Sequence, residues 1–273
     1  MARGGSKQHT SIPQGRTKIQ MRWIYLGYDF NISRTFSTAI LLAAEDYITT
    51  GTGTTNGEFL ADIKLAFYIK LINLRWKNIW KATDLVLGQV GTPAYSIFTE
   101  QIWGYRPIDW RVTDIRRTPS CDSGITVQCK YGKDGRSGYY VRAGNGTSAR
   151  PENDNFRWYN ADVWALFINR KLTFDVYVDY EKLNDIPSWH HSRSMIKGFA
   201  SYSTPAFTFG IEGYLNNLKN EDFATRITVG TDTWSGTAKG ISLFANGVFI
   251  PKRLKWFVRF DRFNPDNRID NAV

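Results

Sequence analysis

The segment LTFDVYVDYE, residues 172–181, alternates apolar and polar side chains without a break. One side of an extended chain receives the apolar residues Leu172, Phe174, Val176, Val178 and Tyr180. The opposite side receives Thr173, Asp175, Tyr177, Asp179 and Glu181. A period of two over this length is typical of a β-strand with one apolar and one polar face. The segment therefore predicts a strand that separates two different environments.

The same alternation recurs along the chain. It is found in FLADIKLAFYI (59–69), GITVQCKY (124–131) and KRLKWFVRFDRF (252–263). Further strand candidates cover 18–30, 35–46, 83–90, 138–144, 158–168, 193–202, 205–215, 224–230 and 238–250. Asn73, Asn78, the Asn-Gly pairs at 145–146 and 246–247, and the polar stretch 180–193 predict turns or linkers. About twelve strands without a helical layer predict an all-β antiparallel meander, although 36–47 also has helix propensity.

This pattern fits two kinds of β-protein. In a soluble sandwich the apolar faces pack inside, whereas in an up-and-down transmembrane β-barrel they meet lipid and the charged faces line water. Aromatic residues near predicted strand ends favour the membrane alternative, because interfacial girdles use such rings. They include Trp76, Trp80, Trp158, Tyr159, Phe260 and Phe263. On this interpretation the strand charges that face the lumen are Lys64, Lys130, Lys197, Arg253, Lys255 and Arg259.

A long segment near 91–123 interrupts the alternation. It begins at the Gly91-Thr92-Pro93 break and contains TEQIWGYRPIDWRVTDIRRT (99–118). Irregular segments of this length are uncommon in a compact domain unless they have a function. Apolar residues such as Trp103 and Trp110 would attach the segment to a wall. A channel constriction would then be lined by Arg106, Asp109, Arg111, Asp114, Arg116 and Arg117.

Composition limits the partners. The net charge of +10 suggests an anionic partner, and its residues are spread along the chain rather than gathered in one run. We find no apolar stretch of about 18 residues, no signal-peptide pattern and no phosphate loop or nucleic-acid motif. Cys121 and Cys129 lack metal spacing, and a disulfide or two free thiols are both open. His190 and His191 are expected in a polar loop, so we expect no metal site. We also expect no cofactor and no nucleic-acid partner.

Residues 84–132 resemble the middle of Gram-negative outer-membrane porins of the phosphate-selective type, in their Bacteroidetes-like branch, and the resemblance is specific over 83–131. Their sequence is DLVLGQVGTPAYSIFTEQIWGYRPIDWRVTDIRRTPSCDSGITVQCKYG. The shared features are a strand that ends in GQ, a TP turn, and WGYR after an acidic residue. IYLGYDFNISRTFS, IKLINLRWKNIW, YYVRAGNGT and WFVRFDRFNPD resemble strand–turn units of the same family. The resemblance implies a transmembrane barrel of about 12–16 strands, an inward constriction, passive diffusion and often trimers.

The chain would then be a porin of the bacterial outer membrane, in contact with lipid and lipopolysaccharide, that passes small anionic solutes such as phosphate. The expected organisation is a polar leader (1–16), a barrel domain (17–266) and a polar tail (267–273). Because NPDNRIDNAV is not an amphipathic closing strand, truncation at the C-terminus is also expected. The alternative function is a soluble all-β module that binds anionic glycans or polymers. Catalysis is not expected, because carboxylates on a polar strand face, such as Asp175 and Asp179, are usually only solvated.

Overall fold

The computed structural model describes residues 23–45, 67–96, 99–105, 119–132, 135–152, 154–186, 189–219, 235–251 and 253–264. These residues form an all-β fold with two short helices, and the region 36–45 is a strand. The strands are β1 (Trp23–Asn31), β2 (Phe36–Glu45), β3 (Tyr68–Trp80), β4 (Thr83–Gly91), β5 (Cys121–Tyr131), β6 (Ser137–Gly144), β7 (Trp158–Phe167), β8 (Leu172–Ile186), β9 (Trp189–Ser203), β10 (Phe207–Lys219), β11 (Gly236–Ile250) and β12 (Leu254–Asn264). The helices are α1 (Pro93–Ser96) and α2 (Thr99–Trp103), both between β4 and β5.

The strands form one sheet in which each strand neighbours the next along the chain, from β1 to β12. Neighbouring strands from β3 to β12 pair in antiparallel fashion; for example, Val176 of β8 lies between Val163 of β7 and Gly198 of β9. This confirms the predicted antiparallel up-and-down meander of twelve strands. Local contacts divide the chain into Met1–Leu26 with Leu42–Tyr68, and Gly27–Leu41 with Ile69–Val273. In the first unit Ala43 and Ala44 are buried. The features below belong to the second unit.

Four predicted boundaries are wrong. Strand β3 continues through Asn73 and Asn78, and the chain turns only at Lys81 and Ala82. Asn78 has a φ of 53° inside the strand, where the register shifts, and its backbone N–H donates to Oδ1 of Asp84. A bulge thus absorbs the residue that predicted a turn.

The other two boundaries fail because pairing with neighbouring strands continues through residues of low strand propensity. Asn246 and Gly247 lie inside β11, opposite Phe257 and Trp256 of β12. The polar stretch 180–193 lies mostly in β8 and β9, and His190 and His191 belong to β9. The loop expected for these two histidines is therefore wrong.

The connections differ in length at the two ends of the strands. One end, which we call the short-turn edge, carries the turns 32–35, 81–82, 132–136, 168–171, 204–206 and 251–253. The other end, the long-loop edge, carries the connection 145–157, the described parts of the segment between β4 and β5, and the tight connection between the long strands β8 and β9. Successive connections of an up-and-down sheet alternate between its ends, so this grouping follows from the topology.

The two faces of the sheet have opposite chemistry and opposite burial. In β8 the apolar Phe174, Val176 and Val178 are 45%, 50% and 43% exposed. In contrast, the alternate residues Asp175 and Tyr177 are 2% and 0% exposed. We call the polar, buried side the inner face and the apolar, exposed side the outer face. This is the reverse of a water-soluble sandwich, in which the apolar side chains are buried.

Candidate functional site

The chain leaves the sheet after β4 and lies against the inner face. Pro93 opens α1, a position where its missing N–H costs no hydrogen bond. Ala94 is completely buried in a cluster with four inner-face residues, namely Trp158, Tyr177, Met195 and Tyr214. Helix α1 therefore covers the polar side of β7 to β10 and not the apolar side.

A lysine on the inner face of the sheet binds this segment. Nζ of Lys197 on β9 donates a hydrogen bond to the backbone carbonyl of Ala94, and it lies 2.9 Å from Oδ2 of Asp175 on β8. The ammonium also stands 5.9 Å from the ring centroid of Tyr177. The Lys197 side chain is completely buried, so its charge depends on these partners in place of water.

Helix α2 is attached by a tryptophan. Trp103 is 1% exposed and packs against Phe199 and Phe244 of the inner face. The rings of Trp103 and Phe257 are 5.7 Å apart, edge to face, and the guanidinium of Arg259 lies 5.2 Å from the Trp103 ring centroid. In addition, Nδ2 of Asn246 donates to the Trp103 carbonyl at 3.3 Å. The indole thus fixes α2 against β9, β11 and β12.

Further ion pairs connect neighbouring strands on the inner face. Nη2 of Arg142 on β6 lies 3.0 Å from Oδ2 of Asp122 on β5, and both side chains are fully buried. Arg193 of β9 pairs with Glu181 of β8, directly opposite in the register. Asp179 accepts hydrogen bonds from the Tyr177 hydroxyl at 2.7 Å and from the Met195 N–H at 2.9 Å. The inner face thus carries ion pairs and hydrogen bonds that join neighbouring strands, and Asp175 and Asp179 both take part in them.

The predicted site residues fall into two groups. Lys64 and all six charges of the expected constriction, Arg106, Asp109, Arg111, Asp114, Arg116 and Arg117, lie outside the described residues. Of the others, Lys130 is exposed near the end of β5, Lys197 is buried, Arg253 lies in the turn before β12 and Lys255 is exposed on β12. Arg259 pairs with Asp261 at 2.8 Å. Only Lys197 and Arg259 therefore contact the described part of the segment after β4.

Sequence reasoning missed four buried charges of the inner face, namely Asp122, Arg142, Asp162 and Glu212, and the partly exposed Arg193. A signal was present for Asp162, which lies two residues after Asn160 in the same strand and therefore on the same face. The aromatic girdle also needs a correction. Trp76, Trp80 and Tyr159 are about half exposed on the sheet, but Trp158 is buried on the inner face and Phe263 packs against the same cluster.

The two cysteines are free thiols and are both buried. They lie eight residues apart on the single strand β5, which at about 3.3 Å per residue separates them by about 26 Å. Since a disulfide requires Cα atoms within about 7 Å, they do not bond to each other. Within the described ranges, no group of three or more His, Cys, Asp or Glu side chains is arranged to hold a metal ion. Among the helices of those ranges, none has the length and apolar character to cross a membrane.

No protein-family model matches the chain, and no curated protein sequence matches it. Among solved structures, the chain is similar to an anion-selective porin from Comamonas acidovorans, with a TM-score of 0.55 and 12% identity over 91% of this chain and 70% of that one. It is also similar to OmpT, an outer membrane protein of Vibrio cholerae (TM-score 0.44, 10% identity, 89% and 78% of the two chains). OpdK of Pseudomonas aeruginosa, crystallised with vanillate, has a TM-score of 0.39 and 10% identity over 89% and 77%.

The similarity to the Comamonas porin identifies the fold class. It is an all-β, antiparallel up-and-down fold of the porin β-barrel type. The alternation predicted the antiparallel strands, and the resemblance to porins implied the barrel.

Proposed function

We propose that this chain is a porin, a passive channel for small hydrophilic solutes across the bacterial outer membrane. One observation carries the proposal: the outer face exposes apolar side chains and the inner face buries charged ones. Each Val, Leu, Ile or Phe side chain left in water forgoes about 1.5–3 kcal/mol of burial energy. Lipid removes that cost from the many apolar side chains of the outer face, whereas ionisable side chains are excluded from hydrocarbon.

The segment after β4 narrows the channel in this proposal. The contacts of Ala94 with Tyr177 and of Trp103 with Phe244 support it, because they hold α1 and α2 against the polar face. Residues 106–117 follow α2 directly, and they contain four arginines and two aspartates. We therefore propose that 91–123 forms the constriction within a barrel domain that spans 17–266.

The preference of the channel for solutes of one charge depends chiefly on this segment. Four basic residues of the inner face each pair with a carboxylate, so they contribute little net positive charge to the channel. They are Arg142, Arg193, Lys197 and Arg259. Anions would be favoured by the exposed Lys130 and Lys255, and by the excess of four arginines over two aspartates at 106–117. The shared fold with an anion-selective porin agrees with this preference. Phosphate is the first anion to test, because guanidinium groups bind it through two parallel hydrogen bonds.

The alternative function is a soluble module that binds anionic glycans. It requires the apolar faces of the strands to be buried away from water. The exposed Phe174, Val176 and Val178 do not meet that requirement. A carboxylate-based hydrolase is disfavoured in turn, since Asp175 is paired with Lys197 and Asp179 accepts two hydrogen bonds. Within the porin proposal, the partners are outer-membrane lipid and lipopolysaccharide, and the assembly is a trimer.

Planar-bilayer recordings test the channel and its selectivity. The purified chain should give stepwise conductance, and under a salt gradient its reversal potential should show anion preference. Replacing Arg106, Arg111, Arg116 and Arg117 by glutamine should shift that potential toward cation preference, because only Asp109 and Asp114 remain in the segment. A matched control replaces four exposed basic residues elsewhere, Arg150, Arg157, Lys182 and Lys219, and should retain anion preference. Absence of conductance from folded, reconstituted protein would refute the porin assignment, and an unchanged potential in the arginine variant would refute the constriction.

A further inference from the structure

The short-turn edge is rich in basic residues. The six turns of that edge, bounded by the ends of the strands, comprise 21 residues, of which 18 are described. These 18 include six basic residues and no acidic residue. The six are Arg34, Lys81, Arg136, Arg170, Lys171 and Arg253. Residues that are scattered along the sequence are thus gathered by the up-and-down topology at one end of the sheet.

The side chains at this edge face outward. Those within the described residues are Arg34, Lys81, Arg136, Arg170, Lys171 and Arg253, and every one is exposed. The nearest acidic residues on the flanking strands, Asp29 and Asp84, lie within β1 and β4, and Asp84 already accepts a hydrogen bond from the Asn78 N–H. The turns themselves therefore present an almost uniform positive charge.

Apolar side chains accompany these charges. Ile32 and Ile168, which belong to the turns, are 54% and 62% exposed. Trp80 precedes Lys81, and Phe249 and Leu254 flank the turn that carries Arg253; these three side chains are 50% to 68% exposed. A row of apolar and aromatic side chains directly beside basic ones is typical of the boundary between acyl chains and headgroups.

We infer that the short-turn edge docks on the headgroups of anionic phospholipids in the leaflet that surrounds it. This inference rests on the proposed function, because it requires that the sheet span a membrane. Lysine and arginine near an anionic membrane surface gain about fivefold in binding for each residue. Phosphodiester groups at headgroup depth would be within reach of the basic side chains while the isoleucines contact the acyl chains.

The exposed isoleucines distinguish this partner from a soluble anion or a hydrated polymer. A soluble anion would neutralise the charges but would leave Ile32 and Ile168 in water. A lipid surface satisfies both features, since it supplies a negative layer and an apolar layer a few ångströms apart.

Electron spin resonance of spin-labelled lipids around the reconstituted chain tests this docking. In phosphatidylcholine vesicles at low salt, labelled phosphatidylglycerol should bind the protein boundary about threefold or more tightly than labelled phosphatidylcholine. The test variant carries Arg34→Gln, Lys81→Gln, Arg136→Gln, Arg170→Gln and Lys171→Gln. Its preference should fall to about one, as should that of the unmodified chain in about 1 M salt, where screening is strong.

The control variant removes the same number of charges from the long-loop edge and its flanking strands. It carries Arg150→Gln, Arg157→Gln, Lys182→Gln, Lys219→Gln and Lys239→Gln, all at exposed positions. It should keep the phosphatidylglycerol preference of the unmodified chain. If the preference survives in the short-turn variant, falls equally in the control, or is abolished by millimolar inorganic phosphate at constant ionic strength, the docking inference is overturned.

Conductance separates this result from the porin proposal. Both variants should form channels in planar bilayers, since the replaced side chains lie in turns or at exposed positions. Channels without a lipid preference would overturn the docking inference alone. A reconstituted chain that never conducts would instead overturn the proposed function.

Discussion

The Nζ atom of Lys197 lies 2.9 Å from Oδ2 of Asp175, and the same ammonium donates a hydrogen bond to the carbonyl of Ala94. One side chain thus connects two neighbouring strands to the segment that covers them. Since both charged groups are buried, neither can exchange its partner for water without local opening of the structure.

Replacing Lys197 with methionine should both destabilise the fold and loosen α1. Asp175 would remain buried without its cation, at a cost of about 3–5 kcal/mol. Ala94 would lose its donor, so single-channel conductance should rise and become noisier. The double variant Lys197→Met, Asp175→Leu removes the Lys197–Asp175 pair as a unit, so it should recover part of the stability, although the buried Asp162 beside the pair loses two neighbours. It should keep the altered conductance. Wild-type conductance in both variants would show that Lys197 does not position α1.

Two glycines of the inner and outer faces should differ in their tolerance of alanine. A Cβ at Gly144 would overlap Oδ2 of Asp122 and would lie 3.0 Å from Nε of Arg142, inside the buried ion pair. Gly144→Ala should therefore lower the free energy of unfolding by about 1–3 kcal/mol. At Gly198 a Cβ would meet no atom within 4 Å, so Gly198→Ala should be neutral or slightly stabilising. Urea unfolding in lipid vesicles measures both, and equal losses would contradict the packing described here.

Trp103 should set the size limit of the channel. Trp103→Ala removes the ring that packs on Phe199 and Phe244, at a cost of about 3–5 kcal/mol for a buried tryptophan. Loss of this attachment should let α2 move off the wall, so liposome-swelling rates for larger neutral sugars should increase. Trp80→Ala, which alters a tryptophan that is 52% exposed, serves as the control and should leave the sugar-size limit unchanged. An unaltered limit in both variants would count against α2 as part of the constriction.

An arginine placed on the outer face should cost more free energy within a strand than in a turn at the edge of the sheet. Val178→Arg places a cation on the outer face within β8 and should cost about 2–4 kcal/mol in lipid. Ile168→Arg, in a turn at the short-turn edge, should cost no more than about 1 kcal/mol. Both residues are well exposed, at 43% and 62%, so in a water-soluble protein the two substitutions would have similar small effects. Unfolding titrations in vesicles of one lipid composition distinguish these outcomes.

The strands and their two faces could be predicted from the sequence because period-two alternation is a local property. The faces predicted for 172–181 agree residue by residue with the burial of Phe174, Asp175, Val176 and Tyr177. Turn residues were less informative, since Asn78 and Asn246 have turn propensity but lie within paired strands. Pairing with a neighbouring strand outweighs local preference wherever the neighbour continues.

The site was less predictable from sequence because its contacts join distant residues. Lys197 was expected on the polar face, yet nothing in its local sequence indicates that it binds Ala94, 103 positions earlier. Likewise, Trp158 has the composition of a girdle residue but is buried on the inner face. For the predicted constriction, Arg106, Arg111, Arg116 and Arg117 stay a prediction, as does Lys64 on the wall.

The inner-face ion pairs also bear on how the sheet is assembled. Glu181 stands directly opposite Arg193, so a slip of β9 by two positions would set Arg193 against Leu183 or Asp179 and leave Glu181 without its cation. A slip by one position would turn every charge of the strand toward the apolar outer face. The charge pairs therefore select the native register, because a hairpin that pairs in another register leaves a buried charge without its partner.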